Sequence, residues 1–294
     1  MQPNKLNAAP MFQALSLLAI TVIALVCVIP FIVMISGSIS SETAILKSGY
    51  SLFPKDISFD AYAFIFRYPG DVLSAYRVSI TVTVVGTVLS LFLSSMAAYV
   101  LFRKEVKYRN ALSFFLFFTT LFNGGLAPYY IMITKYMHLK NTMLVLILVP
   151  LFNVLYILIL RSFIRSSIPE ALIESAKIDG AGDFRIFIGM VLPLCKPALA
   201  SIGLFTALGY WNDWWTALMF IDQDNLVPLQ FLLYKMLSSI NLSAAMSQHV
   251  SSLDQPKETF KLALTVIATG PIVILFPFVQ KYFVSGVTIG AVKG

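Results

Sequence analysis

Between Lys5 and Glu42 the chain carries no charged side chain, and Leu, Ile, Val, Phe and Ala fill most of residues 12–35. A helix rising about 1.5 Å per residue crosses a hydrocarbon core of about 30 Å in roughly 20 such residues. A run of that length has no place in the core of a small soluble domain, so it commits the chain to a membrane. It lacks the short apolar segment and small-residue cleavage site of a signal peptide, which predicts a retained first span at 12–35, with Pro30 a candidate kink. Composition agrees. Of 294 residues 58% are hydrophobic and only 12% charged, against about a quarter charged in soluble domains.

Further apolar runs predict spans at 78–102, 111–134, 141–160, 198–221 and 262–280, so the expected fold class is all-α integral membrane, a single transmembrane domain over 1–294. Arg103, Lys104, Lys107 and Arg109 form a dense, short basic loop. Such a loop marks the cytoplasmic side, so the first span runs outward and both termini are expected in the cytoplasm. Arg161 and Arg165 mark a second return to that side. The net charge of +7 suits cytoplasmic loops against anionic lipid and calls for no nucleic acid. Gly124-Gly125 and Pro128 predict a broken or tightly packed outer half in the third span, because freed backbone groups at that depth need partners. Two long segments, 37–77 and 222–261, are expected outside. The first carries Phe53, Tyr62, Phe64, Phe66 and Tyr68, which suits either a docking face for an extracytoplasmic partner or a segment lying at the lipid interface.

Between the fourth and fifth runs lies a polar island, a loop over 161–197. Ser167 and Glu170 have capping-box spacing, and Pro169 fits a first helical turn. The helix is expected to reach Ile178 and stop at Gly180, where a missing Cβ permits a left-handed turn. Asp183 is expected to cap a second short helix over 184–192, closed by Pro193 and Pro197. Glu170-Ala171, then Gly180, then Leu192-Pro193 resembles the EAA loop of permease subunits of bacterial ATP-binding-cassette importers, with Leu172 where the triplet usually has alanine. The resemblance implies a type I importer permease fold: six transmembrane helices, with a cytoplasmic helix-turn-helix between spans 4 and 5 that sits in a groove of an ATPase subunit. It also implies that Glu170, Ala171, Asp179, Gly180, Leu192 and Pro193 transmit ATPase closure to the membrane.

The fifth run holds Tyr210, Trp211, Asn212, Asp213, Trp214 and Trp215, which include all three tryptophans of the chain. Aromatic faces suit sugar C–H surfaces, and Asn and Asp suit sugar hydroxyls, so the cluster is a candidate substrate pathway; an interfacial aromatic belt is the alternative. It is similar to the W-N motif of sugar-importer permeases. The ending Gly286 through Gly294, G-V-T-I-G-A-V-K-G, is similar to the tail of carbohydrate-importer permeases of the maltose-transport type, and the whole most resembles the branch that handles oligosaccharides such as alginate or pectin fragments.

No G-x-x-x-x-G-K-[ST] phosphate loop occurs in the sequence, nor a metal-spaced His/Cys/carboxylate cluster or a nucleophile–base pair. Cys27 and Cys195 suggest no framework, and His138 and His249 stand alone. The chain is therefore expected to be non-catalytic. The resemblance implies partners: a second homologous permease, two ATPase subunits that bind ATP and Mg, and an extracytoplasmic solute-binding protein. The expected function is ATP-driven import of a sugar or oligosaccharide across the bacterial cytoplasmic membrane by alternating access. An ion-coupled secondary transporter of a small polar solute is the alternative, and would be expected to show several intramembrane carboxylates.

Overall fold

The computed structural model describes residues 10–67, 69–246 and 258–291. In chain order the helices are α1 (Pro10–Ser38), α2 (Glu42–Ser48), α3 (Asp60–Ile65), α4 (Pro69–Phe102), α5 (Arg109–Leu121), α6 (Leu126–Ile131), α7 (Met143–Leu148) and α8 (Val154–Ser167). They continue with α9 (Glu170–Ile178), α10 (Asp183–Ile186), α11 (Leu192–Leu194), α12 (Lys196–Trp211), α13 (Trp215–Phe220), α14 (Leu229–Met246) and α15 (Glu258–Ala291). Two compact units emerge, Met1–Pro69 with Met236–Gly270, and Gly70–Lys235 with Pro271–Gly294.

In the first unit the segment after α1 is ordered by short-range chemistry. Ser41 caps α2 by accepting from the Ala44 N–H at 3.2 Å, and Gly49, at φ +71°, ends it. Ser40 and Ile57 form an isolated antiparallel bridge. Glu42 then reaches a residue more than 200 positions away. Its carboxylate oxygens accept from the Glu258 N–H at 2.9 Å, the Thr259 N–H at 2.9 Å and the Thr259 hydroxyl at 2.8 Å. These are the free donors of the first turn of α15, where a negative charge also meets the positive end of the helix dipole. Glu42→Ala is expected to loosen that turn by about 1–2 kcal/mol, read as faster amide exchange at 258–261 with exchange in α4 unchanged.

In the second unit the apolar runs become helices, but several are interrupted. Among the described residues two helices are long and apolar enough to cross a membrane, Phe12–Ser38 in the first unit and Gly70–Phe102 in the second; the count rises to four if two bent pairs each make one span. The expected third span is one such pair: α5 and the α6 segment Leu126–Tyr136 meet at 116°. The chain is extended at Phe122, and Gly125 sits at φ +89°, so the Gly-Gly-Pro signal acts as a break. The second span starts earlier than expected. Pro69 opens α4, which therefore absorbs the last residues of the 37–77 segment, Asp71 and Arg77 included.

The fourth run is not one helix over 141–160. α7 stops at Leu148, residues 149–153 are irregular around Pro150, and α8 runs on to Ser167. Pro150 has no N–H and disfavours a helical residue before it, which splits the run. The carbonyls so freed are satisfied by side chains: Ser90 of α4 donates to the Leu151 carbonyl at 2.7 Å and Tyr210 of α12 to the Ile147 carbonyl at 2.8 Å, both buried. The fifth run is also shorter than 198–221. α12 begins at Lys196 and ends at Trp211, and Asn212 to Trp214 separate it from α13.

The unit is held by two apolar clusters. One joins Tyr99 and Phe102 of α4 with Ile157, Leu160 and Ile164 of α8 and Ile202 of α12. The other joins Val78 and Val82 of α4 with Val145 of α7, Tyr210 of α12 and Phe220 of α13. Between them α4 and α12 approach closely at Gly86, where a Cβ would stand 2.5–2.8 Å from three ring carbons of Tyr210. Small residues at such crossings are what lets helices associate inside lipid.

Candidate functional site

α9 and α10 form a helix-turn-helix on the end of α4. The turn is a complete Schellman motif: the Gly180 N–H donates to the Lys177 carbonyl and the Ala181 N–H to the Ala176 carbonyl, both at 2.9 Å, with Gly180 at φ +81°. This stop is where the sequence places it. The start differs. α8 runs through Ser167, Pro169 is the N-cap without a side-chain bond, and the expected capping box does not form. Glu170 instead accepts from Lys104 at 2.6 Å. Asp183 is likewise inside α10 rather than capping it, and its carboxylate accepts from Arg103. The second helix is also not closed at Pro193. A π-helical turn, Phe187–Val191, links α10 to α11, the helix ends at Leu194, and Pro197 opens α12 across an 80° bend. The wide turn carries its bonds to the Leu192 N–H, so the donor missing at Pro193 falls where the register has already shifted.

Arg103 organises the attachment. Its side chain is only 7% exposed, and it donates to Glu105 at 2.9 Å, to Asp183 at 2.8 Å and to the Tyr99 hydroxyl. Lys177 adds a contact to Glu105 at 3.4 Å. Burial alone disfavours the cation, but the hydrogen bonds to Glu105 and Tyr99 outweigh it and hold the guanidinium charged. The Arg103 hydrogen bond likewise holds the Glu105 carboxyl down to about 2. With its folded value depressed, Glu105 stabilises the tie fully above the ordinary value of 4.5 and loses that contribution as pH falls through about 2. Acidification across that window is expected to raise amide exchange in α9 and α10, and Glu105→Gln is expected to abolish that pH dependence.

One face of the pair is packed and the other is open. Ile173, Ile186 and Phe187 are buried against Tyr99, Phe102, Ile164 and Ile168, and Phe187 stacks on Tyr99 at 5.8 Å. On the open side Ile178 is 87% and Phe184 62% exposed. Glu170, Ala171, Asp179, Gly180 and Pro193 are exposed too, and Leu192 is half-buried. Of the coupling residues expected from sequence, all but the half-buried Leu192 are thus exposed in the chain itself.

The aromatic cluster of the fifth run is not brought together. Tyr210 and Trp211 are buried, and the Tyr210 hydroxyl serves the Ile147 carbonyl. Asn212 is exposed and donates to the Leu208 carbonyl. Trp214 stacks on Tyr234 at 4.6 Å and meets Trp215 edge-on at 5.7 Å. Asp213 lies just before α13 and accepts from the Thr216 N–H of its first turn at 3.0 Å. It also lines a cleft of about 350 Å³ with Ser90, Asn153, Tyr156, Thr206 and Tyr210, beside the break between α7 and α8. Of the cluster only Tyr210 and Asp213 reach this cleft. Ser90, Asn153 and Tyr156 are not singled out by sequence; the one local signal is Asn153, a polar residue three positions after Pro150 inside an apolar run.

Broken apolar helices, a helix-turn-helix with exposed apolar residues and a cleft lined by polar and apolar side chains fit a multi-pass membrane protein. The chain belongs to the family of binding-protein-dependent transport system inner membrane components, whose family model matches residues 72–289. Among its relatives, the polygalacturonan/rhamnogalacturonan transport system permease protein YtcP of Bacillus subtilis is 39% identical over 272 residues, covering 92% of this chain and 94% of that one. Protein LplC of the same organism is 37% identical over 98% of this chain and 97% of its own length. The crystal structure of a bacterial ABC transporter involved in the import of the acidic polysaccharide alginate superposes with a TM-score of 0.80 at 29% identity, over 96% of this chain and 100% of the matched one. The fold is that of a type I ATP-binding-cassette importer permease, as the sequence resemblance implied.

Proposed function

We propose that this chain is one permease subunit of an ATP-driven, binding-protein-dependent importer that moves a sugar or oligosaccharide across the cytoplasmic membrane by alternating access. The observation that carries the reading is the match, over more than nine-tenths of the chain, to YtcP, a polygalacturonan/rhamnogalacturonan transport system permease protein. As a permease subunit the chain is non-catalytic, and ATP with Mg belongs to separate ATPase subunits. A secondary transporter is not favoured, since the sequence relatives are permeases of binding-protein-dependent systems.

In this reading residues 1–294 act as one transmembrane domain of six spans, with spans 3 to 5 broken as described and both termini cytoplasmic. The chain pairs with a second homologous permease on two ATPase subunits, and a loaded solute-binding protein docks outside on 37–77 and 222–261. Glu170, Ala171, Asp179, Gly180, Leu192 and Pro193 form the seat for an ATPase subunit. ATP-driven closure of the ATPases pushes on α9 and α10. Arg103 passes the push to the end of α4, because a buried, triply bonded guanidinium leaves little slack between them. ATP and the loaded binding protein must favour the same outward-open state for the cycle to be coupled. Purification of the tagged chain from its native membrane in mild detergent, with mass spectrometry of what accompanies it, tests the reading. A second permease and a phosphate-loop ATPase support it; a chain recovered alone that transports under an ion gradient without ATP overturns it.

A further inference from the structure

The cleft beside the α7/α8 break has a chemistry of its own, and its role in transport rests on the importer reading. Ser90 lies well inside the 33-residue candidate span Gly70–Phe102, and the break interrupts the middle of the fourth apolar run. At about 350 Å³ the cleft is at the small end of ligand sites, which run about 300–1,000 Å³. It therefore has room for a single ring rather than a long chain. Several of its polar groups are already engaged: Ser90 and Tyr210 donate to the broken backbone, and Thr206 donates to the Ile202 carbonyl.

Three groups keep capacity. Asn153 spends its side-chain oxygen capping α8, accepting from the Leu155 N–H at 3.0 Å, which leaves its amide N–H free to donate. Asp213 spends one carboxylate oxygen on the Thr216 N–H, leaving the other to accept. The Tyr156 hydroxyl makes no hydrogen bond among the described residues and can do either. One carboxylate, one amide and one phenol match the vicinal hydroxyls of a pyranose. Among the described residues the lining includes no Lys, Arg or His. The outer cation Lys140 pairs instead with Asp222 at 2.8 Å. A uronate in this cleft would set its charge close to Asp213, and like charges repel.

We propose that the cleft is a transit subsite for one neutral glycosyl unit, with Asp213, Asn153 and Tyr156 holding its hydroxyls and Asp213 excluding uronates. This narrows the substrate class away from the acidic polysaccharide named for the alginate importer.

Gly209 supplies a reporter, because it lines the cleft and a Cβ added there meets no atom within 4 Å. The full permease–ATPase complex would carry Gly209→Cys with Cys27→Ser, and would be labelled with a small methanethiosulfonate in the presence of α-1,4-galactotriose or α-1,4-trigalacturonate. These probes differ only in oxidation at C6. Galactotriose is expected to slow labelling and trigalacturonate at equal concentration to leave it unchanged. Asp213→Asn keeps a side-chain oxygen that can accept from the Thr216 N–H. It is expected to raise the half-protecting galactotriose concentration about tenfold and to let trigalacturonate protect, a reversal that a purely structural role would not produce. Asn153→Ala is expected to weaken galactotriose protection without changing selectivity. Protection by neither probe, or equally by both in the parent, would overturn the assignment. Recovery of the ATPase and second permease with the same complex would show that the importer reading survives that failure.

Discussion

Arg103→Ala is expected to detach the α9–α10 pair from α4 and to reduce ATP-driven uptake at least tenfold while the chain still inserts in the membrane. The substitution removes bonds to Glu105, Asp183 and Tyr99, and hydrogen bonds to charged groups contribute about 1.5–3 kcal/mol each. The sum overstates the loss. Glu105 and Asp183 are 60% and 68% exposed, so both carboxylates can return to water, and about 2–4 kcal/mol is the expected cost in local stability. Arg103→Lys keeps the charge but loses the fork that reaches three partners at once, so it should rescue little. Amide exchange in α9 and α10 reads the effect directly. Unchanged exchange there, with unchanged uptake, would remove Arg103 from the transmission path.

The second large effect is expected at the α4–α12 crossing. Gly86→Leu puts its Cβ into the Tyr210 ring, so either the helices part or the ring swings out. Overpacking of this kind costs about 1–3 kcal/mol. If the ring moves, the buried Ile147 carbonyl also loses its donor, for about another 1–3 kcal/mol. Tyr210→Phe isolates the second part and should cost only that. A drop in the melting temperature of the purified chain for Gly86→Leu, clearly larger than for Tyr210→Phe, is the expected order; equal drops would mean that the crossing tolerates a side chain.

These two sites also show what the sequence makes legible. Charge-free runs and the basic loop announce a membrane chain, and the Gly180 stop is readable because only a residue free of Cβ sits easily at φ +81°. The break in the third run is signalled by Gly124-Gly125 and Pro128, residues that disfavour a continuous helix locally. Arg103 is readable only as a topology marker, since its partner Asp183 is 80 positions away. The fourth run looks continuous for the same reason. A break at Pro150 is tolerable at that depth only because Ser90 and Tyr210, about 60 residues away on either side, supply donors, and no local pattern encodes that. Local propensity also misleads at Ser167 and Asp183, whose capping roles give way to a longer α8 and to the pull of Arg103. The tail's Val292 to Gly294 and His249 lie outside the described residues.

In the importer reading the open face of α9 and α10 seats an ATPase subunit. Ile178 is its most exposed apolar residue and touches little in the chain itself, so Ile178→Asp should leave the fold intact and act only on a partner. Quantitative mass spectrometry of tagged wild-type and Ile178→Asp chains, each purified from its native membrane, measures the ATPase-to-permease ratio. A normal yield of both permeases and an ATPase signal reduced at least tenfold are expected; an unchanged ratio with normal ATP-driven uptake would mean that this face seats no ATPase.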